Sequence, residues 1–192
     1  MEERYTRYIV APYSVEGFER ISLAKAATII KKGSIVSIDT ETTWDEDILQ
    51  KKLLTLPIAT DKYCIVVDCR DILITSVLKK LSTCKWVCHN GKFDYQVIRV
   101  NTGYVHNDVE DTMIMEQLLY LGLEREKGRF TLENLVRKYV YEYAYTAQGN
   151  LFDQTTLKDV RKTFNEFDPL TAEQAAYAAK DAEYTYHLYF KL

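Results

Sequence analysis

No run of this 192-residue chain is apolar for long enough to read as a membrane span. None looks like a secretory leader either, because the start Met1-Glu2-Glu3-Arg4 is charged and no long apolar stretch follows. The expectation is a cytoplasmic protein with no membrane partner. An excess of positive charge is also missing. The formal net charge is −3, which argues against a protein that coats nucleic acid through a broad basic face, but not against an enzyme that grips a few nucleotides. Internal repeats, low-complexity tracts and Pro- or Gly-rich linkers are absent, so residues 1–192 are read as one domain. Cysteine is sparse. Cys64, Cys69, Cys84 and Cys88 match no standard zinc spacing and lie in or beside apolar strand-like runs, as buried free thiols do.

What is present suits a soluble globular domain: 47% hydrophobic and 28% charged residues over a length that can bury one good-sized core. Tyr5 to Val10, Ile35 to Ile38, Leu53 to Ala59, Tyr63 to Asp68 and Lys85 to Cys88 read as strands, rich in β-branched and apolar residues. Helical spacing marks Val15 to Lys32, with Gly33 as its stop, and Ile72 to Leu81, with Leu73, Val77, Leu78 and Leu81 on one stripe. Further helices are expected at Gly91 to Thr102, Asp111 to Leu121, Thr131 to Tyr139 and Thr171 to Leu192. Glu142 to Asp168 reads as irregular, with a short helix near Thr155 to Thr163. Early strands with helices between and after them predict an α/β fold, a central mixed sheet flanked by helices.

Three groups of residues stand out. Asp39 and Glu41 follow an apolar strand, two apart, and so leave its end on the same side. Like charges held that close need a cation between them, or else plain solvation in a loop. His89-Asn90-Gly91-Lys92-Phe93-Asp94 bridges a strand and a helix. Capping by Asn90 and the helix dipole at Asp94 already explain both residues structurally. Tyr177 and Asp181 lie four apart on the last helix, which Thr171 and Gln174 open as a capping box. Each group alone has a bland reading; the ordered set does not.

Taken in order, Ile35-Val36-Ser37-Ile38-Asp39-Thr40-Glu41-Thr42, Cys88-His89-Asn90-Gly91-Lys92-Phe93-Asp94 and Tyr177-Ala178-Ala179-Lys180-Asp181-Ala182 resemble a known pattern. It is that of the proofreading 3′→5′ exonuclease domain of family A DNA polymerases, within the exonucleases named for four acidic residues. Asp111-Thr112-Met113 and Thr131-Leu132-Glu133-Asn134-Leu135 agree with it, while Thr42 to Asp47 is more acidic than the pattern and Glu142 to Asp168 follows it loosely. The resemblance implies a ribonuclease H-like fold and two divalent ions, Mg²⁺ or Mn²⁺. Asp39, Glu41 and Asp181 would hold the first ion, Asp39 would bridge to the second, and Asp94 would help through water. Tyr177 would orient the attacking water. A related subclass has histidine where Ala176 stands, so only the tyrosine form fits. Thr40, Thr42, Asn90 and Phe93 are the candidates for contact with the substrate end, core packing being the competing reading of Phe93. Lys92, Arg99, Lys158, Arg161 and Lys162 are candidates for phosphate contact, against a default of solvated charge. The implied substrate is the 3′ end of single-stranded DNA, with a polymerase in cis or in trans as partner. The rivals are an exoribonuclease of the same subclass and a binding module that has lost the chemistry.

Overall fold

Neighbouring side chains on the early strands are buried on opposite faces, and that alternation sets the layering. In β1 (Thr6–Val10) Val10 joins one apolar cluster and Ile9 the other; in β6 (Tyr63–Asp68) Ile65 and Val67 oppose Cys64 and Val66. Both faces of the sheet are therefore covered. The computed structural model describes residues 5–70, 72–120, 129–140 and 160–192. The remaining strands are β2 (Glu19–Arg20), β3 (Ile35–Ile38), β4 (Glu41–Thr42), β5 (Leu53–Ala59), β7 (Lys85–Cys88) and β8 (Val109–Asp111). The helices are α1 (Leu23–Ile29), α2 (Thr75–Leu81), α3 (Gly91–Thr102), α4 (Thr112–Tyr120), α5 (Leu132–Tyr139) and α6 (Ala172–Tyr189).

The sheet runs β2-β1-β6-β5-β3-β7-β8, with β4 attached to β5. β5 is antiparallel to β3, β4 and β6; the other pairings are parallel. This is the mixed sheet expected, and its ribonuclease H-like layering carries α1, α2 and α3 on one face. Ala26, Val77, Leu78, Leu81, Val97 and Ile98 fill that layer. The opposite face is covered by α6 through Ala175, Ala178, Ala179 and Ala182. Alanines let the helix axis come close, so α6 touches β3, β5, β6 and β7 at once. Leu188 and Tyr184 of α6 then hold α5 through Leu135 and Val136. Among the described residues, no helix is long and apolar enough to cross a membrane.

Several sequence expectations need correction. Val15 to Lys32 is not one helix: Gly17 takes a left-handed turn at φ +82, Glu19–Arg20 pairs with β1, and Ser22 caps a helix that starts only at Leu23. Leu73 is 83% exposed rather than on the buried stripe, because α2 begins after it. Asp111 ends β8 and precedes α4 instead of opening that helix, while Leu121 lies outside the described residues. Of the stretch Glu142 to Asp168, residues 142–159 lie outside the described residues; the turn at 160–163 is helical. β2, β4 and β8 are too short to leave a periodic trace.

Candidate active site

Asp39 leaves the end of β3, and its backbone N–H still reaches the Pro57 carbonyl at 3.4 Å. Two residues later the chain re-pairs with β5 through an irregular step, Glu41 opposite Thr55 and Thr42 opposite Leu53. The extra residue, Leu54, is the bulge. Leu54 faces the α6 side, whereas Leu53, Leu56 and Ile58 face the other. Asp39 and Glu41 thus belong to a strand end and a separate short strand rather than to one continuous strand, yet their carboxylates still converge. The third member arrives from α6. Ser37, two residues before Asp39, donates its hydroxyl to the Ala182 carbonyl at 2.6 Å, next to Asp181. Carboxylate oxygens of Asp39, Glu41 and Asp181 lie within 4.8 Å of one another.

Asp94 stands beside this group, in the first turn of α3, and accepts the Thr40 hydroxyl at 2.7 Å. Thr40 is buried, and its hydroxyl orients Asp94. Asn90 is not a side-chain cap. It sits at φ 63 in the left-handed region with its side chain exposed, and makes no capping bond. The cap is supplied from another strand: Asp111 accepts the N–H groups of Asn90 at 3.1 Å and Gly91 at 2.8 Å, and also that of Met113 at 2.9 Å. One carboxylate therefore holds the starts of both α3 and α4. A Cβ at Gly91 would lie 2.7 Å from the Cys88 Cβ, so only glycine allows this approach. Phe93 is half-buried against the core with Lys51 over its ring, and Thr42 is half-buried on β4.

The site is electrostatically frustrated. Burial raises the Asp39 carboxyl well above its ordinary value, and the charges of Asp94, Glu41 and Asp181 add to that. Burial, then Asp181, pushes Glu41 up to about 8. Asp94 is pushed up to about 7 by burial, although the Thr40 hydroxyl pulls the other way. Asp181 is raised by burial and partly relieved by the Tyr177 hydroxyl. Tyr177 itself is 8% exposed, edge-on to Phe164 at 6.3 Å between ring centres. Burial and the carboxylates of Asp181 and Glu41 push its phenol far up, so it stays protonated and acts as a donor. Acids that close, with only oxygen donors, fit a hard divalent cation such as Mg²⁺ or Mn²⁺.

Residues 19–192 match the family model described as 3′-5′ exonuclease. The chain belongs to the 3′-5′ exonuclease family. Solved structures of similar fold include Brucella melitensis NrnC, 18% identical, with TM-score 0.66, covering 98% of this chain and 78% of that one. Escherichia coli RNase D, described as an exoribonuclease involved in structured RNA processing, is 18% identical with TM-score 0.64 over 94% of this chain and 42% of its own. The Aedes aegypti Nibbler EXO domain is 13% identical with TM-score 0.67, covering 96% of this chain and 86% of that domain. No curated protein matches by sequence. The family model shows the family and these structures the fold; none of the three is described as a polymerase domain, so a polymerase I type in particular is not shown.

Within this exonuclease-family chain, sequence reasoning missed the Asp111 caps and the Thr40–Asp94 bond. Both depend on side chains meeting across long separations. It also left Arg161 as one of five basic candidates, although its charge reaches Asp39, Glu41 and Asp181.

Proposed function

We propose that this protein is a metal-dependent 3′→5′ exonuclease that hydrolyses phosphodiester bonds at the 3′ end of a single strand and releases nucleoside 5′-monophosphates. The observation that carries this reading is the meeting of Asp39, Glu41 and Asp181, from three separate segments, beside Tyr177. Asp39, Glu41 and Asp181 would hold one ion, and Asp39 with Asp94 a second. When bound, such a pair supplies a nucleophile at neutral pH and steadies the departing oxygen.

The chain's own groups do the positioning. Thr40 fixes one oxygen of Asp94, leaving the rest of that carboxylate for the site. Tyr177 remains protonated and therefore cannot serve as a base; it directs its hydroxyl toward Asp181 and orients the attacking water. Asn90, held left-handed just ahead of α3 with an exposed side chain, would reach the terminal nucleotide. Thr42, next to Glu41 on β4, and Phe93, next to Asp94 on α3, would be further contacts for the same end.

The motifs resemble a DNA proofreading domain, which supports DNA ends as substrate and a polymerase in cis or in trans as partner. RNA ends are the second reading, supported by the likeness to RNase D and to the catalytic core of RRP6 from Trypanosoma brucei. The sugar pocket separates the two, since a 2′-hydroxyl is either admitted or excluded. The test uses matched 5′-labelled single-stranded DNA and RNA with Mg²⁺, with Mn²⁺ and with chelator. A ladder shortening from the 3′ end only when an ion is present is expected. Faster loss of RNA would select the second reading. Intact strands of both kinds with both ions would reject the proposal.

A further inference from the structure

We infer that Arg161 is a catalytic residue of this site, its guanidinium gripping the non-bridging oxygens of the phosphodiester under attack. The inference rests on the exonuclease reading above and extends it to a group outside the acidic motifs.

Arg161 is carried by a helical turn that the fold holds firmly. Val160 and Phe164, on either side of it, are buried against α6. The Thr163 hydroxyl accepts Gln174 Nε2 at 2.9 Å, and Gln174 is also part of the capping box of α6. Just beyond, Arg70 donates to the Asn165 carbonyl at 3.5 Å, and Lys52 pairs with Glu166. This anchoring leaves the Arg161 side chain itself exposed while setting its guanidinium carbon 6.0 Å from the centre of the Tyr177 ring. Burial weighs against its charge there, while the Tyr177 side chain and the carboxylates of Glu41 and Asp181 favour it. The cation thus stands beside the phenol that orients the water and acts on all three clustered carboxylates, whereas Lys180 acts on Asp181 alone.

Charge balance gives that position a purpose. Two divalent ions offset the carboxylates of Asp39, Glu41, Asp94 and Asp181, but nothing in that set answers the phosphodiester. It enters with one negative charge and spreads more onto its outer oxygens as the bond to the leaving oxygen breaks. A planar guanidinium matches two such oxygens and cannot lose its proton near neutral pH. The phenol beside it keeps the fork aimed at the place where water attacks.

The experiment compares wild type, Arg161→Ala and Arg161→Lys on a labelled single strand with Mn²⁺. Turnover of Arg161→Ala is expected to fall about a hundredfold, the usual loss on removing one donor to developing charge. Lysine should recover part of it, and free guanidinium ion should partly rescue the alanine variant. Calorimetry gives a readout apart from activity. Mn²⁺ should bind Arg161→Ala as tightly as wild type or more so, because a competing cation is gone. A nucleoside 5′-monophosphate should bind the Mn²⁺-loaded variant about tenfold more weakly, some 1.4 kcal/mol. Turnover within about threefold of an active wild type, or a loss of Mn²⁺ affinity that matches the loss of turnover, would overturn the assignment and leave the exonuclease reading standing. A wild type inert toward both DNA and RNA would remove both.

Discussion

Two sets of acids in this protein, both largely withdrawn from solvent, are handled in opposite ways. Asp68, at the end of β6, is 4% exposed and fully answered by the chain itself. The Arg70 guanidinium donates to it twice, at 2.8 and 2.6 Å, its backbone N–H once at 3.2 Å, and the Tyr13 hydroxyl once more. That hydroxyl in turn accepts the Leu170 N–H at 2.8 Å, tying the approach of α6 to the sheet. Burial works against the Asp68 charge, but the bonds from Arg70 and Tyr13 outweigh it and hold the carboxyl below its ordinary range. Glu116, with no exposure, is met in the same way by Lys138 and Tyr139 at 2.9 Å each. Asp39 and Asp181, half-buried, stand against the buried Glu41 instead; loss of solvent drives all three toward the neutral form, and the neighbouring carboxylates add to that at Asp39 and Glu41. The fold can neutralise a buried acid wherever the acid is structural. At the cluster Arg161 and Tyr177 answer the charge only in part, which leaves room for a cation from outside.

The sharpest break of this contrast exchanges the two kinds of aspartate for alanine. Asp39→Ala is expected to lose about a thousandfold in turnover, several kcal/mol of transition-state stabilisation. In ion-free buffer its melting temperature should hold or rise, because a frustrated charge is gone. Asp68→Ala should do the reverse. It strands Arg70 and Tyr13, and denaturant unfolding should show a loss of about 3–5 kcal/mol. A tenth of wild-type turnover or more in Asp39→Ala, or an Asp68→Ala as stable as wild type, would end the distinction.

Tyr177→Phe sharpens it more gently. The ring packing against Phe164 survives, and only the hydroxyl, which relieves Asp181 and is proposed to orient water, is lost. Turnover should fall about ten- to a hundredfold, with a folded protein and a detectable 3′ ladder. A variant as inactive as Asp39→Ala would mean that the phenol does more than orient.

The smallest effect is a shift in stability with pH. Glu41 titrates near 8 and Asp94 near 7 in the folded, ion-free site, against about 4 in the unfolded chain. Between those values the folded state holds protons that the unfolded state has released, so stability falls as pH rises. Mn²⁺ competes for the ionised forms, and the melting-temperature gain on adding it should grow from acid to neutral pH. Asp68 has the opposite sign: its contribution is present above the unfolded value and is lost only in strong acid. Equal gains with Mn²⁺ at both ends of the range would contradict this account.

Much of the frame was legible because it is local. The apolar runs at Ile35–Ile38, Leu53–Ala59 and Tyr63–Asp68 are strands, and the Thr171–Gln174 capping box opens α6 as expected. The misreadings came where one residue's conformation outweighs the periodicity around it. Gly17 and Ser22 cut the supposed long helix. Asn90 was a reasonable N-cap by type, but Asp111 from the neighbouring strand takes that role and leaves Asn90 left-handed. A cap supplied from twenty-one positions away has no local signature.

The sequence by itself determined which chemistry was possible, because carboxylates at Asp39, Glu41, Asp94 and Asp181 with a phenol at Tyr177 are a matter of residue type and order. Only the tertiary structure decided that they lie side by side. Pairing with β5 keeps Glu41 in the register of β3 and so on the side of Asp39, the alanine face of α6 lets Asp181 approach the sheet, and Ser37 ties that approach to the residue beside Asp181. Distances between charges come from packing, and repulsion at close range is what gives this site its use for a cation.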